Sequence, residues 1–439
     1  MSRCYSDAMK NLGRRDFLRA AGVASLDSAL NRGIRGANDR ISLGFIGIGV
    51  MGSENLRAAM EQPGVAVSAV CDVYQPHLER ASAMARRSGH QPKETADFRQ
   101  VIADRSIDAV CISTPDHWHP YMTVEACKAG KDVYVEKPAC VVIGDGQTMV
   151  AAARKYNRIV QAGTWQRSGA HFQKACELVR NGTLGKVTMA RTWIYSNQPQ
   201  AGIGNPADSA PPRGLDWEMW LGPAPSRPFN PNRFGVYPNA YSYFRYFWDY
   251  AGGQLTDSGV HMIDIVHMAF GDPMPLSAAA LGGKYWFTDD TETPDTLQVT
   301  YAYPGFLASW EHRSNNTYEH ASRLMGATFH GTRGTLYVDR QLYRVVPEKG
   351  SDLEPSEMKR VTDPHPLHWV NFLSCVRSRQ KPNSEIETCY RSSAACILGN
   401  LSLRANMRLD WDEQSGSLRQ PEARPLLHRP YQSPWSLSL

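Results

Sequence analysis

Arg40-Ile41-Ser42-Leu43-Gly44-Phe45-Ile46-Gly47-Ile48-Gly49-Val50-Met51-Gly52 is the stretch that decides the fold. Its first seven residues read as a buried strand. Gly47, Gly49 and Gly52 follow at once in G-x-G-x-x-G spacing, and a helix-compatible segment opens at Ser53. In that strand–turn–helix context the glycines have separate tasks. Gly47 permits the tight turn. Gly49 lets a pyrophosphate approach the backbone at the helix N-terminus, beside Val50 and Met51. Gly52 lets the helix pack closely on the strand.

Working outward, Val65 to Val70 reads as a second strand and ends at Cys71-Asp72. Asp72 lies 20 residues past Gly52, where a carboxylate accepts hydrogen bonds from ribose hydroxyls. The same charge repels a 2′-phosphate, so NAD is favoured over NADP. The competing reading makes Asp72 a helix cap. Strands at 107–113 and 132–135 alternate with helices at 78–87 and 121–128. That alternation predicts α/β architecture: a Rossmann doubly wound parallel sheet with its ligand beyond the carboxyl ends of the strands. Thr114-Pro115 and Glu136-Lys137-Pro138 fall at those ends.

The 439 residues are too many for one ordinary domain. A charged fraction of 21% and a hydrophobic fraction of 42% exclude a disordered or fibrous chain. No apolar run reaches the roughly 20 residues of a membrane span, so no integral membrane segment is expected. Residues 1–40 hold eight Lys/Arg and four Asp/Glu, whereas the other 399 hold 40 and 39. The near-neutral body shows no basic stripe, which argues against a nucleic-acid partner and suits an uncharged ligand. The nine cysteines are scattered without a C-x-x-C pair, against a disulfide framework or structural zinc. The basic surplus surrounds Arg14-Arg15-Asp16-Phe17-Leu18, which resembles a twin-arginine signal and predicts an exported, periplasmic protein. A cytoplasmic protein with a disordered basic N-terminus is the alternative.

From Glu136-Lys137-Pro138 the chain resembles the Gfo/Idh/MocA family of NAD(P)-dependent oxidoreductases, which includes glucose–fructose oxidoreductase and inositol dehydrogenase. Further agreement comes from Gly252 to His261, with its Asp-x-x-x-His segment, from Gly331 to Leu336, and from His368 to Phe372. Leu215-Asp216-Trp217 and the Leu426–Trp435 pattern resemble its exported branch. The resemblance implies a C-terminal α+β domain with a large, mostly antiparallel open sheet, one face of which makes a homo-dimer or homo-tetramer contact. It also implies catalytic roles for Lys137, Asp257 and His261, with His261 as the base and Asp257 orienting it or binding a substrate hydroxyl. Thr114, Pro115, His119, Glu136 and Lys137 are implied at the cofactor, and Trp118, Gln166 and Arg167 at the substrate.

Several of these residues have other readings. Asp257 in Thr256-Asp257-Ser258 is also cap-like. Asp257, His261, Asp264 and His267, or His117 and His119, have donor types that hold metals, but no metal is assigned. Lys137 alone reads equally as a surface lysine.

The boundaries expected are a leader at 1–38, a dinucleotide-binding domain at 39–161, a substrate and oligomerisation domain at 162–411 and an extended docked tail at 412–439. Strands are expected at 186–195, 276–287, 295–303, 305–312 and 323–338, and C-terminal helices lie within 365–406. Residues 196–243 hold nine prolines and form an irregular excursion. Tyr237, Tyr241, Tyr243, Phe244, Tyr246, Phe247, Trp248 and Tyr250 at its end read either as a sugar-stacking wall or as loop packing. Together these features predict NAD-dependent hydride transfer at a ring carbinol of a sugar, glycoside or cyclitol. Two alternatives are an NAD-assisted glycosidase working by transient oxidation and elimination, and a non-enzymatic NAD- or sugar-sensing module.

Overall fold

The computed structural model describes residues 40–235, 242–318, 320 and 323–439. The leader with its paired arginines, and Tyr237 and Tyr241, lie outside the described residues.

The first sheet contains β1 (Ile41–Ile46), β2 (Val65–Cys71), β3 (Lys93–Thr95), β4 (Ala109–Ile112), β5 (Asp132–Val135) and β6 (Val160–Ala162), in the order β3-β2-β1-β4-β5-β6. All its pairings are parallel. β4 and β5 are buried on both faces, as strands sandwiched between helix layers must be. The chain reverses its direction of winding between β1 and β4. Ile46 and Ile112 are paired there, so the glycine turn and Thr114 emerge side by side, and this switch point opens the ligand crevice.

The second sheet contains β7 (Val187–Tyr195), β8 (Ser277–Gly283), β9 (Thr296–Tyr303), β10 (Phe306–Arg313), β11 (Met325–Gly331), β12 (Gly334–Val338), β13 (Leu342–Pro347), β14 (Ser356–Lys359), β15 (Leu409–Asp412) and β16 (Ser417–Leu418). Its order is β14-β13-β12-β11-β7-β10-β9-β8-β15-β16, antiparallel except for β7 with β10. The expected single strand at 323–338 is two, because the chain turns at Thr332-Arg333, where Arg333 N–H donates to Leu184 O at 2.9 Å. Helices Ala170–Arg180, Val260–Phe270 and Ile386–Ala405 pack together beside this sheet. On β7 and β10, Met189 and Leu307 are paired neighbours and both exposed.

The excursion packs on itself. Trp217, Trp220, Phe229, Phe234, Phe247 and Tyr250 form a buried aromatic cluster with Tyr74 of the Rossmann unit. Packing therefore accounts for Phe247 and Tyr250 at the end of the aromatic run, while Phe244 also reaches the cleft. The tail is less uniformly extended than its prolines imply. It adds the β15–β16 hairpin to the sheet edge, makes a 3-10 turn at Pro421–Leu427, and then returns to the Rossmann unit. There Arg429 reaches Asp145 and the His117 carbonyl, and Trp435 packs on Trp118, Phe98 and Tyr121. All eight cysteines among the described residues are buried and unpaired. Among the described residues no helix is long and apolar enough to cross a membrane.

Candidate active site

A cleft of about 1110 Å³ opens at the switch point. Gly47, Gly49, Val50, Met51, Asp72, Thr114, Pro115, Trp118, His119, Glu136, Lys137 and Asp257 all line it. Gly52, Gln166, Arg167 and His261 do not.

The cofactor end is shaped by what is missing from the glycines. Gly47 has φ +84°, and a Cβ there would lie 2.9 Å from the Ser113 carbonyl. A Cβ on Gly52 would meet Gly47 O at 1.9 Å, so Gly52 serves helix packing behind the turn. Gly49 has nothing within 4 Å and faces open space. The helix that follows, Val50–Met60, has no side-chain cap on its N-terminus. That combination of bare first-turn amides and clear approach fits a pyrophosphate. Asp72 accepts from Ile48 N–H at 2.6 Å and Tyr74 N–H at 2.9 Å. It thus fixes the turn while facing the cleft, where its carboxylate fits ribose hydroxyls.

Glu136 and Lys137 leave β5 together but are used differently. Glu136 is buried, and its Oε1 accepts from Asn55 Nδ2 at 2.9 Å. Asn55 Oδ1 in turn faces His365 Nε2 at 2.8 Å and Trp369 Nε1 at 3.2 Å, tying the first helix to the C-terminal helix Pro364–Ser378. Lys137 Nζ donates to Asp257 Oδ1 at 2.6 Å and to the Asp257 carbonyl at 2.9 Å. Asp257 lies inside a π-helical turn, Leu255–Gly259, that runs straight into helix Val260–Phe270. It is therefore not an N-cap, and its side chain is given to cations instead. Such turns are frequent at functional sites. Arg245 Nε stands 3.3 Å from the same Asp257 oxygen. Burial raises the Asp257 carboxyl, but Lys137 and Arg245 outweigh it and hold the group well below the usual carboxylate range.

His261 is buried beneath this pair, its ring 5.8 Å from that of Trp165. Its Nδ1 has no hydrogen-bond partner among the described residues. Burial, then the charges of Lys137 and Arg340, push the imidazole well below its ordinary range, so it is neutral. His119 lies between two carbonyls, with Nδ1 2.8 Å from Pro138 O and Nε2 2.9 Å from Thr114 O. Burial pushes it down to about 4, so the neutral ring donates to one of the two and links the loops after β4 and β5. The Trp118 indole N–H is spent on the Trp220 carbonyl at 2.9 Å, so only its ring faces the cleft.

Two expected substrate contacts are elsewhere. Gln166 is buried; its Nε2 donates to the His261 carbonyl at 3.4 Å and its Oε1 accepts from Arg340 Nε at 3.1 Å. Arg167 makes a two-pronged pair with Asp264, at 2.8 and 2.9 Å, and bonds Asp272 at 2.5 Å. The 3-10 turn Trp165–Ser168 directs it away from the cleft, into a closed ion-pair cluster. This cluster also answers the metal alternatives. Asp264 is taken by Arg167 and Ser392, and His267 Nε2 stands 2.7 Å from the Tyr303 hydroxyl. His117 Nε2 lies 3.2 Å from the Trp220 carbonyl. Among the described residues there is no group of metal-ligating side chains.

Two charged residues that line the cleft, Asp116 and Arg245, and one near His261, Arg340, are not among the residues expected from the sequence. Asp116 lines the cleft, and burial pushes its carboxyl up to about 7 against the pull of Lys137 and Arg245. Arg245 hides within the aromatic run. Arg340 sits in a strand turn with no motif around it. Asp116 was within reach, since it adjoins Thr114-Pro115.

Residues 41–164 match the family model "Oxidoreductase family, NAD-binding Rossmann fold", and residues 168–437 match "Oxidoreductase family, C-terminal alpha/beta domain" of the same family. The chain belongs to the Gfo/Idh/MocA oxidoreductase family. NAD is the cofactor of its Rossmann fold. A glycosyl hydrolase family 109 protein from Shewanella sp. (strain W3-18-1) is 28% identical over 41% of this chain and 45% of that protein. Inositol 2-dehydrogenase of Salmonella paratyphi B is 31% identical over 36% and 46%. The chain thus spans about half the length of these curated relatives. The fold is also that of the WlbA dehydrogenase of Bordetella pertussis, solved with NADH and UDP-GlcNAcA. The TM-score is 0.63 at 20% identity, covering 85% of this chain and 99% of that one.

Proposed function

We propose that this chain transfers a hydride between a ring carbinol carbon of a sugar, glycoside or cyclitol and NAD. The observation that carries the reading is the Lys137–Asp257 pair at 2.6 Å in the cofactor cleft, with neutral His261 one helical turn away. NAD, when bound, supplies the hydride acceptor. The protein's own residues handle the proton. Asp257 stays ionised and fixes the Lys137 ammonium, which hydrogen-bonds the substrate hydroxyl. His261 accepts the hydroxyl proton as the carbinol is oxidised and returns it in the reverse direction. Gln166, bonded to the His261 carbonyl, keeps the base in place. The experiment is a screen of sugars and cyclitols with purified protein and NAD, following NADH and the keto product. Lys137→Ala removes turnover if the reading holds; intact turnover in that variant refutes it.

Likeness to the glycosyl hydrolase family 109 proteins over 41% of the chain supports a second reading. There, oxidation would be transient, a glycosidic bond would break by elimination, and the cofactor would be restored. Aryl glycosides separate the two, since aglycone release without net NADH belongs only to the second. The exposed Met189–Leu307 face supports a homo-dimer or homo-tetramer, read by light scattering. Arg14-Arg15 supports twin-arginine export, read by fractionation of Arg14→Lys/Arg15→Lys cells.

A further inference from the structure

The hydride-transfer reading leaves one cation beside His261 unused. Arg340 occupies the turn between β12 and β13. That turn is rigidly held: Asp339 Oδ1 accepts from Gln341 N–H at 2.6 Å and Leu342 N–H at 2.9 Å, and Oδ2 accepts from the Tyr337 hydroxyl at 2.6 Å. The guanidinium is then fixed twice more. Its Nε donates to Gln166 Oε1 at 3.1 Å, and its plane lies 4.9 Å over the Trp165 ring. Gln166 and Trp165 are the residues that also touch His261. Arg340 is close enough to lower the His261 imidazole and to feel the Asp257 charge.

The other cations nearby have carboxylates. Lys137 and Arg245 share Asp257, and Arg167 holds Asp264 and Asp272. The two terminal nitrogens of Arg340 have no hydrogen-bond or ion-pair partner among the described residues. A half-buried guanidinium without an anion is costly to maintain. Its two coplanar donors match the paired oxygens of a carboxylate or a phosphate.

We propose that Arg340, oriented by Trp165 and Gln166 next to His261, is an anion subsite, and that the substrate is a sugar bearing a carboxylate or a phosphate ester. The proposal rests on the reading of this cleft as a sugar site. The neutral body charge that suits an uncharged ligand is an average over 399 residues and is blind to one unpaired arginine.

The test uses the full chain loaded with NAD. Calorimetric titrations compare hexuronates, hexose 6-phosphates and the parent hexoses, and NADH formation is read separately. The wild type is expected to bind an acidic member at least about 10-fold tighter than its parent hexose. Arg340→Gln should reduce that preference by about 10- to 100-fold, and Arg340→Lys should keep part of it. Unchanged melting temperature and NAD affinity certify folding. The preferred arm, uronate or phosphate, identifies the anion. Equal binding of acids and hexoses by the wild type, no binding of any acid, or a preference that survives in Arg340→Gln overturns the subsite. An acid that binds through Arg340 without being oxidised overturns the dehydrogenase reading alone.

Discussion

Asp257 and Asp264 lie seven residues apart on one helical stretch, and each is paired with a cation, yet they serve opposite ends. Asp264 is fully enclosed. Arg167 and Ser392 complete its bonding, and Arg167 also pairs with Asp272. Asp257 keeps 28% of its side chain exposed, and its cations Lys137 and Arg245 line the same cleft. An ion pair with all its hydrogen-bonding capacity satisfied holds elements together. One left open to a cleft retains atoms for a ligand. Histidine, arginine and aspartate occur in both clusters, so residue type does not separate them; completeness does.

The largest expected effect breaks the open cluster. Lys137→Ala or Asp257→Asn should cost about 10²- to 10⁴-fold in kcat, measured as NADH formation, while the melting temperature holds. Breaking the closed cluster should do the reverse. Arg167→Met leaves Asp264 buried without its cation and should lose about 3–5 kcal/mol in urea unfolding, with KM unchanged for the molecules that fold. If Arg167→Met instead raised KM at full stability, the two clusters would not differ as described.

Asp116 sharpens the comparison through pH. Its carboxyl is held up to about 7, against roughly 4 in an unfolded chain. Between those values the folded protein keeps a proton that the unfolded chain releases, so this group's contribution to stability falls as pH rises through the window and levels off above it. Asp116→Asn should remove a loss of about 2–4 kcal/mol between pH 4 and 7, read as a flatter melting temperature against pH than the wild type gives. The smallest effect expected is on the tail. Trp435→Ala removes edge-to-face contacts on Trp118 and Tyr121 and should cost about 1 kcal/mol in urea unfolding.

The parts that were legible in the sequence are local. The glycine turn, Asp72 and the strand ends at Thr114 and Glu136-Lys137 follow from spacing within a repeated strand–helix unit, and the α/β class follows with them. Arg340 was not legible, because its approach to His261 depends on the register of β12 against β13 and on Gln166 far upstream. Arg167 misled for the same reason: its neighbours in sequence face the site, but a 3-10 turn rotates it toward Asp264. β14 to β16 were not legible because they are only two to four residues long, and their pairing is decided by the edges they join.

Trp118 and the His117 carbonyl meet the segment carrying Arg429 and Trp435 across a separation of about 310 residues. Synthesis runs from one end, so the loop that borders the cofactor cleft is made long before its buttress exists. A nascent Rossmann unit lacks those late residues, so that wall gains its buttress only after they are made.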